Sequence, residues 1–420
     1  MDYRIFPPEE IPEAEVSVPL SKSMSNRALL MHALATGEYP DFSVARCDDT
    51  EMMISALSGG IRGNVNIGAA GTAMRFLTAY YAATPGAEVL LDGSERMRKR
   101  PIGPLVDALR SCGADITYKG AEGFPPLHIK GTRLHGGSYE IDASISSQFV
   151  SALLMMAPTF DSDFRLTLKG EISSLPYLDM TVAMMRYRGI NVEREHTMIY
   201  VTPGLYREPE HSDIERDWSA ASYWYEVAAL SAGWITITDL SLPSLQGDSV
   251  AATLFDKLGV ITNANTDGGI ELSASPEVYS RLDVDFSDNP DLVQTLVVAC
   301  GMLGVPFSFT GVRSLRIKET DRLEALCHEM AKFGIILTTE KDNEIKWDGR
   351  RVPIREIPVI DTYDDHRMAM AFAPAAMYIP GLVIKGCETV NKSYPSFWEN
   401  MQKIGFILTD PSITEEIPEV

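Results

Sequence analysis

One pattern recurs along this chain and limits its folding more tightly than any other feature. A short polar or glycine-rich cluster is followed at once by an alanine-rich apolar stretch. It reads SKSMSNRALLMHALA from Ser21, GAAGTAMRFLTAYYAA from Gly68, SISSQFVSALLMMAP from Ser144 and RDWSAASYWYEVAALSA from Arg216. It returns as DNPDLVQTLVVACGML around Asn289 and YDDHRMAMAFAPAAMY from Tyr363. The spacings are about 48, 75, 71, 73 and 75 residues, which predicts six copies of one module, too long for a solenoid repeat. Between them lie amphipathic helices that end at glycine, such as PIGPLVDALRSCGA from Pro101, DMTVAMMRYRGI from Asp179, DSVAATLFDKLGV and TDRLEALCHEMAKFGI. β-like stretches such as NVEREHTMIYVTP and IILTTEKDNEIKWDG follow them. The module therefore reads β-α-β-α-β-β, with one helix apolar all round and one amphipathic. A helix apolar all round must lie inside. The expected fold is α/β (α+β): two similar lobes, each of three such units around buried helices. Each buried helix starts at Ser, Thr, Asp or Gly, which cap well. If these N-termini face a cleft between the lobes, their positive ends form an anion site.

Composition narrows the function. The chain has 420 residues, enough for a large core, and a formal net charge of −21. So acidic a balance argues against nucleic acid and against an anionic membrane surface. The N-terminal MDYRIFPPEEIPEAEV lacks the basic-then-apolar run of a leader. The longest apolar runs, such as Phe149 to Phe160, fall short of the roughly 20 residues a membrane helix needs. Cys47, Cys112, Cys300, Cys327 and Cys387 are scattered, with no CxxC pair and no Cys/His spacing for zinc. A reduced cytoplasmic chain without a metal is expected.

Against this acidity, cations gather at the helix starts: Lys22, Arg27, Arg75, Arg100, Arg316, Lys318, Arg322, Arg367 and Lys392. A cation at a helix N-terminus is unfavourable unless an anion is shared with it. A surface ion pair is the plainer reading for any single one. The set points to a site for phosphate and carboxylate groups. Ser146, Ser147 and Gln148 offer two hydroxyls and an amide at one helix start, fit for a phosphate or a polyol, or simply for capping. Ser174 and Tyr177 give a weaker signal of the same kind. Asp291, Glu319 and His366 are the acid–base candidates. Asp291 follows Pro290 at a buried helix start and equally suits a cap; Glu319, between Lys318 and Arg322, equally suits an ion pair. No P-loop, HExxH or GxSxG is present, and GAAGTAMR lacks the dinucleotide spacing.

Taken together, PLSKSMSNRAL, GTAMR, RKRPIGPLVDALR, SSQFVSALLM, PYLDMT, LQGD, RIKETDR, DDHRMAM and KSYPSFW resemble, in order, the EPSP synthases, the 3-phosphoshikimate 1-carboxyvinyltransferases. The resemblance implies two lobes of three units with two chain crossovers, one lobe at 19–215 and the other at 1–18 with 216–420. It implies that shikimate 3-phosphate is held by Lys22, Ser23, Arg27, Ser146, Ser147, Gln148 and Ser174, with Tyr177 nearby. Phosphoenolpyruvate would meet the backbone at Gly71 and Thr72 and the cations Arg100, Arg322, Arg367 and Lys392, with Lys22 also facing it and Lys318 bridging both ligands. His366 belongs to the same binding set. Asp291 resembles the general base and Glu319 the acid. No metal or organic cofactor is implied. A monomer that closes over its two small substrates is expected.

Three departures stand out. Ala69 occupies the place of a family Asn. Ser314 stands where some members carry Asn. The first module is about 25 residues short, the length of roughly a strand pair. The UDP-N-acetylglucosamine enolpyruvyl transferases share this fold, but they carry Asn after the first lysine, where this chain has Ser23. A catalytically impaired anion-binding relative is the other alternative, and Ala69 with the short first module is its only support.

Overall fold

The computed structural model describes residues 1–11, 13–37, 42–143, 146–211, 214–265 and 268–412. Ser144 and Ile145, which open the third copy of the repeat, lie outside the described residues. Twelve helices occur among them: α1 Lys22–Ala35, α2 Asp48–Ser58, α3 Gly71–Ala83, α4 Gly103–Ser111, α5 Ser147–Met156, α6 Leu175–Tyr187, α7 Trp218–Ser231, α8 Ala251–Asp256, α9 Val293–Leu303, α10 Arg322–Ala331, α11 His366–Phe372 and α12 Phe397–Lys403. The odd-numbered helices from α1 to α11 are the six apolar stretches. In α9 every residue from Val293 to Met302 is buried, as its composition demands.

The module has one topology. Arg62–Asn66 pairs parallel with Glu88–Asp92, which pairs antiparallel with Leu127–Lys130, which closes a hairpin with Asp115–Tyr118. A parallel pair needs a crossover, and α3 supplies it. The same order recurs in Gly137–Asp142, Phe164–Lys169, Met198–Val201 and Val192–Glu195, and in Leu282–Asp285, Phe307–Thr310, Glu344–Trp347 and Thr338–Glu340. Two further sheets are completed by the chain's N-terminal residues. Ala14–Val16 lies parallel to Ile235–Ile237, and Tyr3–Phe6 sits between Leu382–Ile384 and Ile407–Thr409.

The chain divides into two compact units. One comprises Leu20–Glu215 with Leu245–Gly247; the other comprises Met1–Pro19, Arg216–Ser244 and Asp248–Val420. They are called the N-terminal and C-terminal units below. Each has its own apolar core. In the first, α3 packs on α1 and α5; in the second, α7, α9 and α11 pack pairwise.

The first module departs from the repeat by more than the expected strand pair. Among the described residues, α1 and α2 have no sheet of their own, so the N-terminal unit has two sheets and the C-terminal unit three. The segment after Val201 ties this region down instead. Glu208 lies 2.9 Å from His32 of α1 and 3.8 Å from the buried Arg188 after α6. The hydroxyl of buried Tyr206 donates to the Met155 carbonyl at 2.9 Å. Side-chain caps close four of the six buried helices: Ser21, Ser146, Asp217 and Asp365. Two differ from the expected rule. α3 begins after Ala70, and α9 is entered through the 3₁₀ turn Pro290–Leu292, where Pro290 fixes φ for a tight turn.

Candidate active site

In the N-terminal unit the candidate residues sit at the starts of α1, α3, α5 and α6. Lys22 opens α1, and its Nζ lies 3.1 Å from Asp49 in the first turn of α2. Arg27, one turn further on, is 2% exposed and donates to Thr181 Oγ1 at 2.7 Å, Ser151 Oγ at 3.2 Å and the carbonyls of Ser23 and Tyr177. Burial lowers its pKa to about 10. All those acceptors are neutral, so an anion brought to this end of the helix meets a charge already set in place. Ser146 caps α5, and Gln148 Nε2 donates to Thr72 Oγ1 at 3.2 Å, which ties the starts of α5 and α3 together. Ser147 is buried behind them. Ser174, also buried, holds a left-handed backbone (φ 57°) at the start of α6, a strained geometry that points to function.

Gly71 and Arg100 lie in close contact. A Cβ on Gly71 would stand 2.6 Å from Arg100 Nη1 and 2.9 Å from its Cζ. Only glycine lets the guanidinium lie against the start of α3. Arg75 has a different task from the one its place in the sequence suggested. Its Nη1 donates to the Gly71 carbonyl and its Nη2 to the Pro101 carbonyl, holding together the two segments that carry Gly71 and Arg100.

The C-terminal unit gathers the acid–base candidates. Asp291 Oδ2 lies 2.8 Å from Arg367 Nη2, and its Oδ1 lies 3.2 Å from Arg322 Nη1 and 3.6 Å from Lys318 Nζ. Glu319 Oε2 lies 3.0 Å from Arg322 Nη2, and its Oε1 lies 2.9 Å from Lys392 Nζ. One guanidinium therefore spans both carboxylates. Burial works against the Arg322 charge, but Asp365, Glu319 and Asp291 outweigh it and hold it more firmly protonated than usual. Asp365 is wholly buried. It takes Arg322 Nε at 2.7 Å and Nη2 at 3.2 Å, and accepts the backbone N–H of Arg367 at the start of α11. Tyr363 and Asp364, just before it, both adopt positive φ, so the turn into this cap is strained. His366 is buried beside Asp365, at 3.7 Å. Ser314 is half-buried in the 3₁₀ turn Arg313–Ile317. Arg316 falls to the plainer reading, an ion pair with Asp321 and Asp342.

Residues 60–401 match the family described as EPSP synthase (3-phosphoshikimate 1-carboxyvinyltransferase). The chain belongs to the EPSP synthase family. A 3-phosphoshikimate 1-carboxyvinyltransferase of Bacteroides fragilis is 48% identical over 97% of this chain and 98% of its own length. The protein of that name from Photobacterium damsela subsp. piscicida is 35% identical over 96% and 100%. The solved EPSP synthase of Acinetobacter baumannii, 21% identical, superposes with a TM-score of 0.74 over 97% of this chain and 100% of that one, which shows the fold. No helix among the described residues is long and apolar enough to cross a membrane.

Within this EPSP synthase fold, four side chains had no role in the sequence reading. They are Asp49 against Lys22, Asp365 against Arg322, Tyr223, whose hydroxyl accepts from Arg367 Nη1 at 3.3 Å, and Asp248. Burial pushes Tyr223 up to about 12, although Arg367 opposes the shift. Asp365 and Asp248 sit inside the quoted DDHRMAM and LQGD motifs, so a signal existed: an acidic residue flanking an apolar helix. Ala69, in the place of the family Asn, is exposed in the turn before α3.

Proposed function

We propose that these two clusters divide one reaction between them: transfer of the enolpyruvyl group of phosphoenolpyruvate to the 5-hydroxyl of shikimate 3-phosphate. The products are 5-enolpyruvylshikimate 3-phosphate and phosphate, in the biosynthesis of aromatic amino acids. The observation that carries the assignment of roles is the guanidinium of Arg322 shared by Asp291 and Glu319, with Lys318, Arg367 and Lys392 around them.

The chemistry needs those groups. Glu319 gives a proton to the methylene carbon of phosphoenolpyruvate, which leaves cationic character at the adjacent carbon. The 5-hydroxyl oxygen attacks that carbon, and Asp291 takes the hydroxyl proton. The resulting tetrahedral intermediate breaks its bond to phosphate, which departs with the proton taken by Asp291, and the methyl group returns a proton to Glu319 as the double bond re-forms. Lys318, Arg322, Arg367, Lys392 and Arg100 hold the phosphate and carboxylate charges through these steps. Lys318, Arg322, Arg367 and Lys392 engage Asp291 and Glu319 as ion pairs. Substrate anions that take up those cations release both carboxylates for proton transfer, so binding arms the chemistry. Lys22, Ser23, Arg27, Ser146, Ser147, Gln148, Ser174 and Tyr177 bind shikimate 3-phosphate, Arg27 offering its charge from inside. Gly71 and Thr72 serve phosphoenolpyruvate. Ser314 and His366 complete the binding set.

Asp291→Asn tests the assignment. The variant is expected to keep shikimate 3-phosphate affinity by calorimetry and to lose turnover by about 10²-fold or more, the scale of a missing general base. Turnover equal to that of the unsubstituted protein removes Asp291 from the role.

A further inference from the structure

Asp248 lies in the turn Gly247–Val250 before α8, 3% exposed, and nothing in the reaction above uses it. Its Oδ2 accepts the Ser219 hydroxyl from the first turn of α7. Its Oδ1 accepts Asn289 Nδ2 at 3.3 Å. Asn289 is the residue that opens the turn Pro290–Leu292, and its carbonyl accepts the Leu292 N–H at 3.1 Å. The peptide carrying Asp291 is thus tied through one buried carboxylate to a separate helix. The charged groups facing Asp248 are Asp291, of like sign, and Arg367, of opposite sign. We propose that Asp248 is a positioning residue for the general base, fixing the Asn289–Asp291 turn and adding negative potential that favours proton uptake by Asp291.

The inference rests on the reading of Asp291 given above, and the geometry explains why such a partner is needed. Asp291 is surrounded by Lys318, Arg322 and Arg367, three cations that discourage it from accepting a proton. A second buried carboxylate offsets them. Both donors to Asp248 point at its oxygens, which suits the ionised form. Burial, and after it the Asp291 charge, pushes the Asp248 carboxyl up to about 6, while Ser219, Arg367 and Asn289 oppose the rise. Asp248 therefore takes up a proton as pH falls through about 6. Protonation removes both the negative potential and one acceptor site.

The test is the pH dependence of single-turnover rate in the full chain with both substrates. The unsubstituted protein is expected to lose rate on the acid side of about pH 6. Asp248→Asn, which keeps shape and one acceptor, is expected to be slower by about tenfold at pH 7.5, the effect of one pK unit of basicity. Its KM values should stay within about twofold, since no substrate is contacted. The limb near pH 6 should vanish, so that the two proteins converge by pH 5. Asn289→Ala removes one donor to the ionised form and should move the limb upward; it serves equally if Asp248→Asn does not fold. A rate ratio constant from pH 5 to pH 8, or an unmoved limb in the Asn289 variant, overturns the proposal. If Asp291→Asn loses turnover while Asp248→Asn behaves like the unsubstituted protein, only this inference fails; if Asp291→Asn keeps turnover, the reading beneath it fails.

Discussion

At the scale of single residues, the site depends on side chains that are placed before any ligand arrives. Arg100 lies against Gly71 so closely that one methyl group would displace it. Gly71 begins α3 with ordinary helical backbone, so alanine there costs the helix nothing. The only atoms that must yield are the far end of Arg100. Gly71→Ala is therefore expected to fold normally and to raise KM for phosphoenolpyruvate by roughly 10–100-fold, the worth of one charged hydrogen bond, while shikimate 3-phosphate affinity holds. An unchanged KM shows that Arg100 does not serve that substrate. The sequence made Arg100 visible as a cation in an acidic chain. It could not show that Gly71 is required for a close approach rather than for a turn, because that depends on where Arg100 comes to rest.

At the scale of helices, the repeat was legible because its physics is local. A helix apolar on all faces can only be buried, and the glycine ends of α4 and α10 are read directly. What was not legible is how buried polar groups inside those helices are satisfied. Glu226 lies in the middle of α7, wholly buried, and neither carboxylate oxygen has a hydrogen-bond partner. Burial pushes this carboxyl well above the ordinary range, so the folded protein keeps its proton. The unfolded chain gives up that proton above its usual carboxylate value. Stability from this group is thus greatest in acid and falls as pH rises, by about 1.4 kcal/mol per pH unit while the folded form stays neutral. Glu226→Gln removes that slope. Denaturant midpoints of the two proteins should agree near pH 4.5 and separate toward pH 8, with the glutamine variant the more stable. Midpoints that move in parallel with pH contradict the burial of a neutral carboxyl. The missing sheet beside α1 and α2 was visible only as a short interval. That Glu208 and Tyr206 would anchor a later segment there depends on contacts far apart in sequence.

At the scale of the whole molecule, a chain with a formal net charge of −21 gathers candidate-site cations in each of its two units. Lys22, Arg27 and Arg100 belong to the first, and Lys318, Arg322, Arg367 and Lys392 to the second. Family motifs revealed most of these positions in the sequence, and the pairing of Lys22 with Asp49 and of Arg322 with Asp365 appeared only with the fold. The chain is proposed to act on a pair of anionic substrates, shikimate 3-phosphate and phosphoenolpyruvate. Phosphate release from the purified chain tests it, measured with shikimate 3-phosphate and phosphoenolpyruvate together and with each omitted in turn. Release that requires both substrates is the predicted result, and it makes Ala69 and the reduced first module tolerated variations. Shikimate 3-phosphate binding in calorimetry with no phosphate released contradicts the account and leaves an anion-binding relative without turnover.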